Sequence, residues 1–186
     1  EIISRSGSEA SKESIPQDVL KAIFGCDILF PVLHGPFGED GTIQGFFEMM
    51  RKAYVGCDFR SAAIAMDKAL TKRLVMESGL PALPFVSITQ HDWRVKREEL
   101  VSRILSELTF PVFVKPVHLG STVGVHKVQG IDSLAGAIEN ALKLDTKIIV
   151  ETGVVSPREI EFAVLGNDSP VVFPPGEILA DGSMYD

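Results

Sequence analysis

The chain has 186 residues, 45% hydrophobic and 23% charged, with a formal net charge of −7. That length can bury a core as one large domain or two small ones, and the acidic balance excludes nucleic acid as a general partner, so any phosphate binding must be local. No apolar run is long enough to span a bilayer and no signal-peptide pattern is found, so no membrane partner is expected and the cytoplasm is the expected compartment.

In chain order, residues 1–17 are polar and predicted to be loose. "CDILFPVL" (26–33) is a continuous apolar run between turn residues and predicts a buried strand. "HGPFGEDG" (34–41) is a glycine-rich loop. "TIQGFFEMMRKA" (42–53) predicts a helix with Ile43, Phe46, Phe47 and Met50 on one face, capped by Asp40 or Thr42. A single helix is predicted over 61–81, started by Ser61 or Asp67 and stopped by Gly79 and Pro81. Residues 97–108 predict another, with Leu100, Ile104, Leu105 and Leu108 on one stripe. "FPVFVKP" (110–116) and "VGVHKV" (123–128) predict a strand hairpin around a glycine loop. A helix capped by Asp132 follows over 132–142, then strands over 147–151 and 159–166. The pattern is a mixed α/β one, with expected boundaries near residues 57 and 151. Cys26 and Cys57 lie far apart in sequence and form no metal-type pair, which fits a reducing compartment.

The chemistry-bearing candidates fall in three places. Alternation puts Phe113 and Lys115 on one strand face and Val112 and Val114 on the other. A lone strand lysine usually reads as an edge residue whose ammonium reaches water. The adjacent "GSTVG" (120–124) changes the balance, because backbone N–H groups, two hydroxyls and close-approach glycines suit phosphate oxygens. His34 follows a predicted strand, with Glu39 and Asp40 close in sequence; for Asp40 a capping role is favoured, and for His34 and Glu39 function and structure weigh equally. Glu151 ends one strand, and Glu159 and Glu161 share a face of the next, where they could solvate an edge or accept ligand hydrogen bonds. Lys68, Lys72 and Arg73 read as solvated helix residues, and His91, His118 and His126 as surface or structural ones. No metal-ligand spacing is present.

"FPVLHGPFGEDGTIQG", "YVG", "SAAIAMDKALTK", "FPVFVKP", "GSTVG" and "REIEFAVLGN" together resemble, in the same order, the D-alanine–D-alanine ligases of the ATP-grasp superfamily. The resemblance implies an ATP-grasp fold: a partial N-terminal substrate domain over 1–57, a central glycine-loop domain over 58–150, and the start of a C-terminal domain over 151–186. It implies that Lys68 and Lys115 contact ATP phosphates and that Gly120, Ser121 and Thr122 belong to a flap over ATP. Ser121 also faces the first D-alanine, and His34 and Glu39 lie near the D-alanine site. Glu151 matches the start of the adenine hinge, and Glu159 the carboxylate that binds the ribose. The implied reaction joins two D-alanines through an acyl phosphate, for peptidoglycan synthesis, with ATP and Mg²⁺ (or Mn²⁺) and a homodimer as family precedents.

Departures accompany this resemblance. The family's first glycine-rich turn, its lid and its metal-binding residues have no counterpart here; the metal ligands are expected beyond Asp186, so this chain alone is not expected to turn over. Thr122 stands where serine is usual. "TGV" (152–154) is slighter than the usual adenine hinge, and Gly153 is expected to loosen it. Alternatives are a ligase that takes D-lactate or D-serine as second substrate, or a non-catalytic nucleotide-binding module.

Overall fold

The computed structural model describes residues 15–179; the loose segment expected at the amino terminus lies almost wholly outside them. The chain divides into two compact units, one running to Asp67 and the other starting at Lys68.

The first unit begins with helix α1 (Gln17–Gly25), which the sequence reading did not assign. Lys52 Nζ donates to the carbonyls of Phe24 (2.7 Å) and Cys26 (2.8 Å), placing a cation at the carboxyl end of this helix, where its dipole is negative. The expected buried strand over 26–33 is corrected. Only Ile28–Leu29 (β1) pairs, in parallel with Ala53–Tyr54 (β2). Ile28 and Phe30 are 63% and 72% exposed, and Val32 and Leu33 are also exposed. An apolar run becomes a buried strand only when layers cover both of its faces, and the described residues supply no such layers here.

Helix α2 (Thr42–Met49) forms where predicted but ends at Met49 rather than 53, where Ala53 starts β2; Phe47 is buried and Ile43, Phe46 and Met50 are half-buried. Asp40 accepts hydrogen bonds from the N–H groups of Phe37 (2.9 Å) and Thr42 (3.0 Å), so it satisfies a donor at the start of α2 from the turn before it, while the N-cap position is Gly41 and carries no side-chain cap. Gly41 is left-handed (φ +90), and a Cβ there would meet the carbonyl oxygen of Phe59 at the start of α3 (Phe59–Met66). The single helix expected over 61–81 is two. Asp58 caps α3 by accepting from the Ser61 N–H (2.8 Å). The extended backbone of Asp67 (ψ 96) ends α3, and α4 (Lys68–Glu77) begins at the next residue. Gly79 (φ +77) stops α4 as expected.

The second unit is built on a four-stranded antiparallel sheet in the order β3 (Phe85–Thr89), β6 (Lys147–Thr152), β4 (Val112–Pro116), β5 (His126–Val128). Strand β3 was not predicted, although Phe85-Val86-Ser87-Ile88-Thr89 alternates as a half-buried strand should. Helices α5 (Gln90–Val95), α6 (Arg97–Glu107) and α7 (Ile131–Leu144) supply the other half of the main core. Val86, Ile88, Val112, Val114, Val128, Ile148 and Val150 point into it and are essentially inaccessible. From α6, Leu100, Ile104 and Leu108 join this core, whereas Leu105, expected on the same stripe, is 44% exposed. The cap expected from Asp132 is not made; Gly130 occupies that position with no side-chain bond.

The opposite face of this sheet carries a different residue set. In register across the strands, Phe85 opposes Glu151, Glu151 opposes Phe113, and Phe113 opposes Lys127; Lys115 follows Phe113 on the same face. A smaller core of Ala69, Val117 and Ile149, with Phe85 against it, seats helix α4 there. The strand expected over 159–166 is interrupted because its halves choose different partners. Glu159–Glu161 (β7) pairs with Gly176–Ile178 (β10), and Val164–Leu165 (β8) pairs with Val171–Val172 (β9).

Candidate functional site

Strand β4 is interior, between β6 and β5, so Lys115 is not the edge residue that a lone strand lysine usually is. Its Nζ lies 2.5 Å from Oε1 of Glu151, whose side chain is only 8% exposed. The other carboxylate oxygen, Oε2, lies 2.6 Å from Nζ of Lys72. The two ammonium groups also stand over aromatic rings, Lys115 above Phe113 (5.3 Å to the centroid) and Lys72 above Phe85 (5.6 Å). Lys72 is therefore not the solvated helix residue it was read as. It lies three residues after the buried Ala69 and four after Lys68, so these residues share the face of α4 that meets the sheet.

Burial alone would push the Glu151 carboxyl up. Hydrogen bonds from Lys115 and then Lys72, reinforced by their charges, hold it below its ordinary value of 4.5. A carboxyl lowered in the fold stabilises the protein above its unfolded value, and that contribution is lost as pH falls through the folded one. Asp145 behaves likewise. Burial raises it, and the backbone and side chain of His118 together with the Lys147 N–H lower it below 3.8. Stability is therefore expected to be flat just above pH 4.5 and to fall on further acidification. Urea titrations at stepped pH check this: Glu151→Gln should make the upper part of that fall shallower.

Lys115, Glu151 and Glu159 line one cleft of about 420 Å³, with Phe113, Lys127 and the segment Thr152–Pro157. That volume suits a small-molecule ligand, and its walls combine apolar surface with few charges. Lys127 pairs opposite Phe113, a register the predicted hairpin left unset. Gly153 does not loosen this wall. Its N–H donates to the Pro111 carbonyl (2.7 Å), and a Cβ would lie 2.8 Å from the Phe113 ring and 2.9 Å from the Pro111 oxygen. Gly153→Ala is expected to destabilise the protein by about 1–3 kcal/mol, measured by urea denaturation.

The glycine loop follows β4. Lys68 Nζ donates to the carbonyls of Val117 (3.3 Å) and Leu119, tying α4 to the base of this loop. Ser121 (φ 47) and Thr122 (φ 63) are exposed and left-handed. This conformation is uncommon for non-glycine residues, and more so for a β-branched one. The N–H of Val123 donates to the Gly120 carbonyl, and that of Val125 to the Thr122 carbonyl, both at 3.1 Å. His118 is structural as read, its ring Nδ1 lying 3.0 Å from the buried Asp145 carboxylate.

His34 and Glu39 belong to the first unit. Their side chains are 3.9 Å apart and exposed, and Glu39 accepts a hydrogen bond from the Gly35 N–H (2.6 Å). Among the described residues, no group of three or more His, Cys, Asp or Glu side chains could hold a metal ion. Among them also, no helix is long and apolar enough to cross a membrane.

Residues 4–57 match the model of the D-ala D-ala ligase N-terminus, and residues 74–186 that of the D-ala D-ala ligase C-terminus. The D-alanine–D-alanine ligase of Listeria welshimeri is 46% identical over 95% of this chain and 48% of its own length. That of Enterococcus faecalis is 46% identical over 86% of this chain and 45% of its own length. Among solved structures, the VanG D-Ala:D-Ser ligase from Enterococcus faecalis superposes with a TM-score of 0.77 at 39% identity, over 84% of this chain and 44% of that one. The D-alanine–D-alanine ligase from Coxiella burnetii gives 0.74 at 35% identity, over 83% and 45%. The chain thus spans about half the length of the curated relatives it matches. With both family models matched in order and the ATP-grasp ligases as its structural neighbours, the chain belongs to the D-alanine–D-alanine ligase family.

Proposed function

We propose that the protein carrying this chain is an ATP-dependent D-alanine–D-alanine ligase serving peptidoglycan precursor synthesis in the cytoplasm. The observation that carries this reading is the Lys115–Glu151 pair lining a ligand-sized cleft, with Lys115 on the strand that leads into the glycine loop. In this reading Lys115 and Lys68 bind ATP phosphates, and Glu151 begins the adenine hinge. Glu159, which lines the same cleft, accepts from the ribose hydroxyls. Gly120, Ser121 and Thr122 form the flap, with Ser121 also toward the first D-alanine; His34 and Glu39 serve the D-alanine site. The division at 1–57, 58–150 and 151–186 is proposed as substrate domain, glycine-loop domain and start of the metal-binding domain. A homodimer is proposed on family precedent.

The chemistry proceeds in two transfers. A carboxylate oxygen of one D-alanine attacks the γ-phosphorus of ATP and ADP leaves. The amine of a second D-alanine then attacks the acyl carbon, and inorganic phosphate leaves as the peptide bond forms. Lys68 and Lys115 stabilise charge on the moving phosphoryl group. Closure of the flap keeps water from the acyl phosphate. Mg²⁺ or Mn²⁺, the family's divalent metal, would neutralise phosphate charge when bound; among the described residues no cluster of acidic or histidine side chains offers it a site.

The similarity to a D-Ala:D-Ser ligase supports D-serine as the second reading for the acceptor. The full-length protein, given ATP with equimolar D-alanine, D-serine and D-lactate, is expected to yield D-alanyl-D-alanine as its main product by mass spectrometry. A main product carrying D-serine or D-lactate contradicts the acceptor assignment, and no product at all contradicts the ligase.

A further inference from the structure

Glu151 is shared. One carboxylate oxygen meets Lys115 and the other meets Lys72, at 2.5 and 2.6 Å, so neither ammonium competes for the other's acceptor. The two lysines are placed differently. Lys115 lines the cleft together with Glu151, and Lys72 is not among the cleft's lining residues. Lys72 approaches from α4, whose Ala69 is fully buried against Val117 and Ile149. One lysine can turn toward a ligand, and the other holds the carboxylate from behind.

We propose that Lys72 is a positioning residue for nucleotide binding, which keeps Glu151 ionised and fixed when Lys115 leaves it for a phosphate. This rests on the reading of Lys115 as a phosphate ligand. A buried carboxylate that loses its last cation is strongly disfavoured. With Lys72 present, the departure of Lys115 still leaves Glu151 a contact ion pair. Without Lys72, Lys115 either stays on Glu151 and binds phosphate poorly, or departs while Glu151 takes a proton from solvent.

The charged surroundings of Glu151 are few. Lys72 comes from α4, Lys115 from β4, Lys127 from β5 across Phe113, and Glu159 from β7 at the cleft wall. From β3 this face presents Phe85, Ser87 and Thr89, which carry no charge. Lys68 of α4 is engaged with the Val117 and Leu119 carbonyls, and Lys147 lies four residues away along β6 itself. Lys72 and Lys115 are the cations that touch the carboxylate, so deletion of Lys72 should appear as a proton linked to nucleotide binding.

The test is calorimetric titration of ATP into the full-length protein near pH 7, in two buffers of different ionisation enthalpy. Relative to wild type, Lys72→Met is expected to bind ATP on the order of 10-fold more weakly and to take up additional protons, approaching one per nucleotide. Lys72→Arg should restore both. In a Glu151→Gln background, Lys72→Met should change neither, because the charge it serves is gone. That cycle decides the matter even if Lys72→Met alone folds poorly: a further loss of affinity in the double variant overturns the proposal. If wild type binds ATP and Lys72→Met matches it in affinity and proton uptake, the positioning role is wrong and the nucleotide site stands. If wild type does not bind ATP, the reading of the site fails and the positioning role fails with it.

Discussion

Glu151→Ala is expected to lower the stability of the protein by about 3–5 kcal/mol, the cost of leaving buried charges without their counter-ion. The variant keeps Lys72 and Lys115, 20% and 28% exposed, facing the same space with nothing between them. It also leaves a void at the end of β6, next to Ile149 and Val150, both fully buried. In thermal unfolding the midpoint should fall by roughly 12–20 °C for a unit of this size. Glu151→Gln keeps the shape and should lose less. A Glu151→Ala protein that unfolds at the wild-type midpoint would mean that the two ammonium groups are already hydrated and the triad is a surface feature.

The second large effect concerns binding rather than folding. Lys115→Ala in the full-length protein should weaken ATP binding on the order of 100-fold, with folding nearly intact. The asymmetry follows from the shared carboxylate. Removing Lys115 leaves Glu151 its contact with Lys72 at 2.6 Å, whereas removing Glu151 deprives both lysines. Calorimetric titration of ATP, paired with urea denaturation of the same variant, separates the two effects. Unchanged nucleotide affinity would contradict the assignment of Lys115, and a stability loss as large as that of Glu151→Ala would contradict the shared-carboxylate account.

The parts of this fold that were legible in the sequence are those where local pattern and environment agree. The alternation of Phe113 and Lys115 against Val112 and Val114 predicts the two faces of β4, and the paired registers bear them out. The helix over 42–49 was legible because its apolar residues recur at helical spacing and put Phe47 in the core, although it stops short of the predicted 53. Strand β3 carries an equally plain alternation over Phe85–Thr89. The break at Asp67 was hidden, because nothing in "AIAMDKAL" forbids a continuous helix; the Lys68 N–H to Val117 carbonyl bond (3.4 Å) is a contact 49 residues distant. The run at 26–33 failed for the reverse reason: its hydrophobicity asks for covering layers that the described residues do not provide.

At the site, the visible signal was the lysine before a glycine loop, and the invisible one was its partner. The link between Lys72 and Glu151 spans 79 positions, and only the antiparallel pairing of β4 with β6 brings the carboxylate beside Lys115. Spacing offered one clue that was not used: Lys68, Ala69 and Lys72 fall on one helix face, and a lysine sharing a face with a buried alanine is poorly described as solvated. Gly153 was misread because composition suggests flexibility, whereas the Phe113 ring and the Pro111 carbonyl leave no room for a side chain.

The central claim is that the cleft of Lys115, Glu151 and Glu159 belongs to an ATP-dependent ligase of D-alanine. Phosphate release from ATP by the full-length protein, measured with and without D-alanine, tests it most directly. Release that depends on D-alanine and falls sharply in Lys115→Ala is the predicted result. Release that is absent, or that proceeds equally without D-alanine, would contradict it.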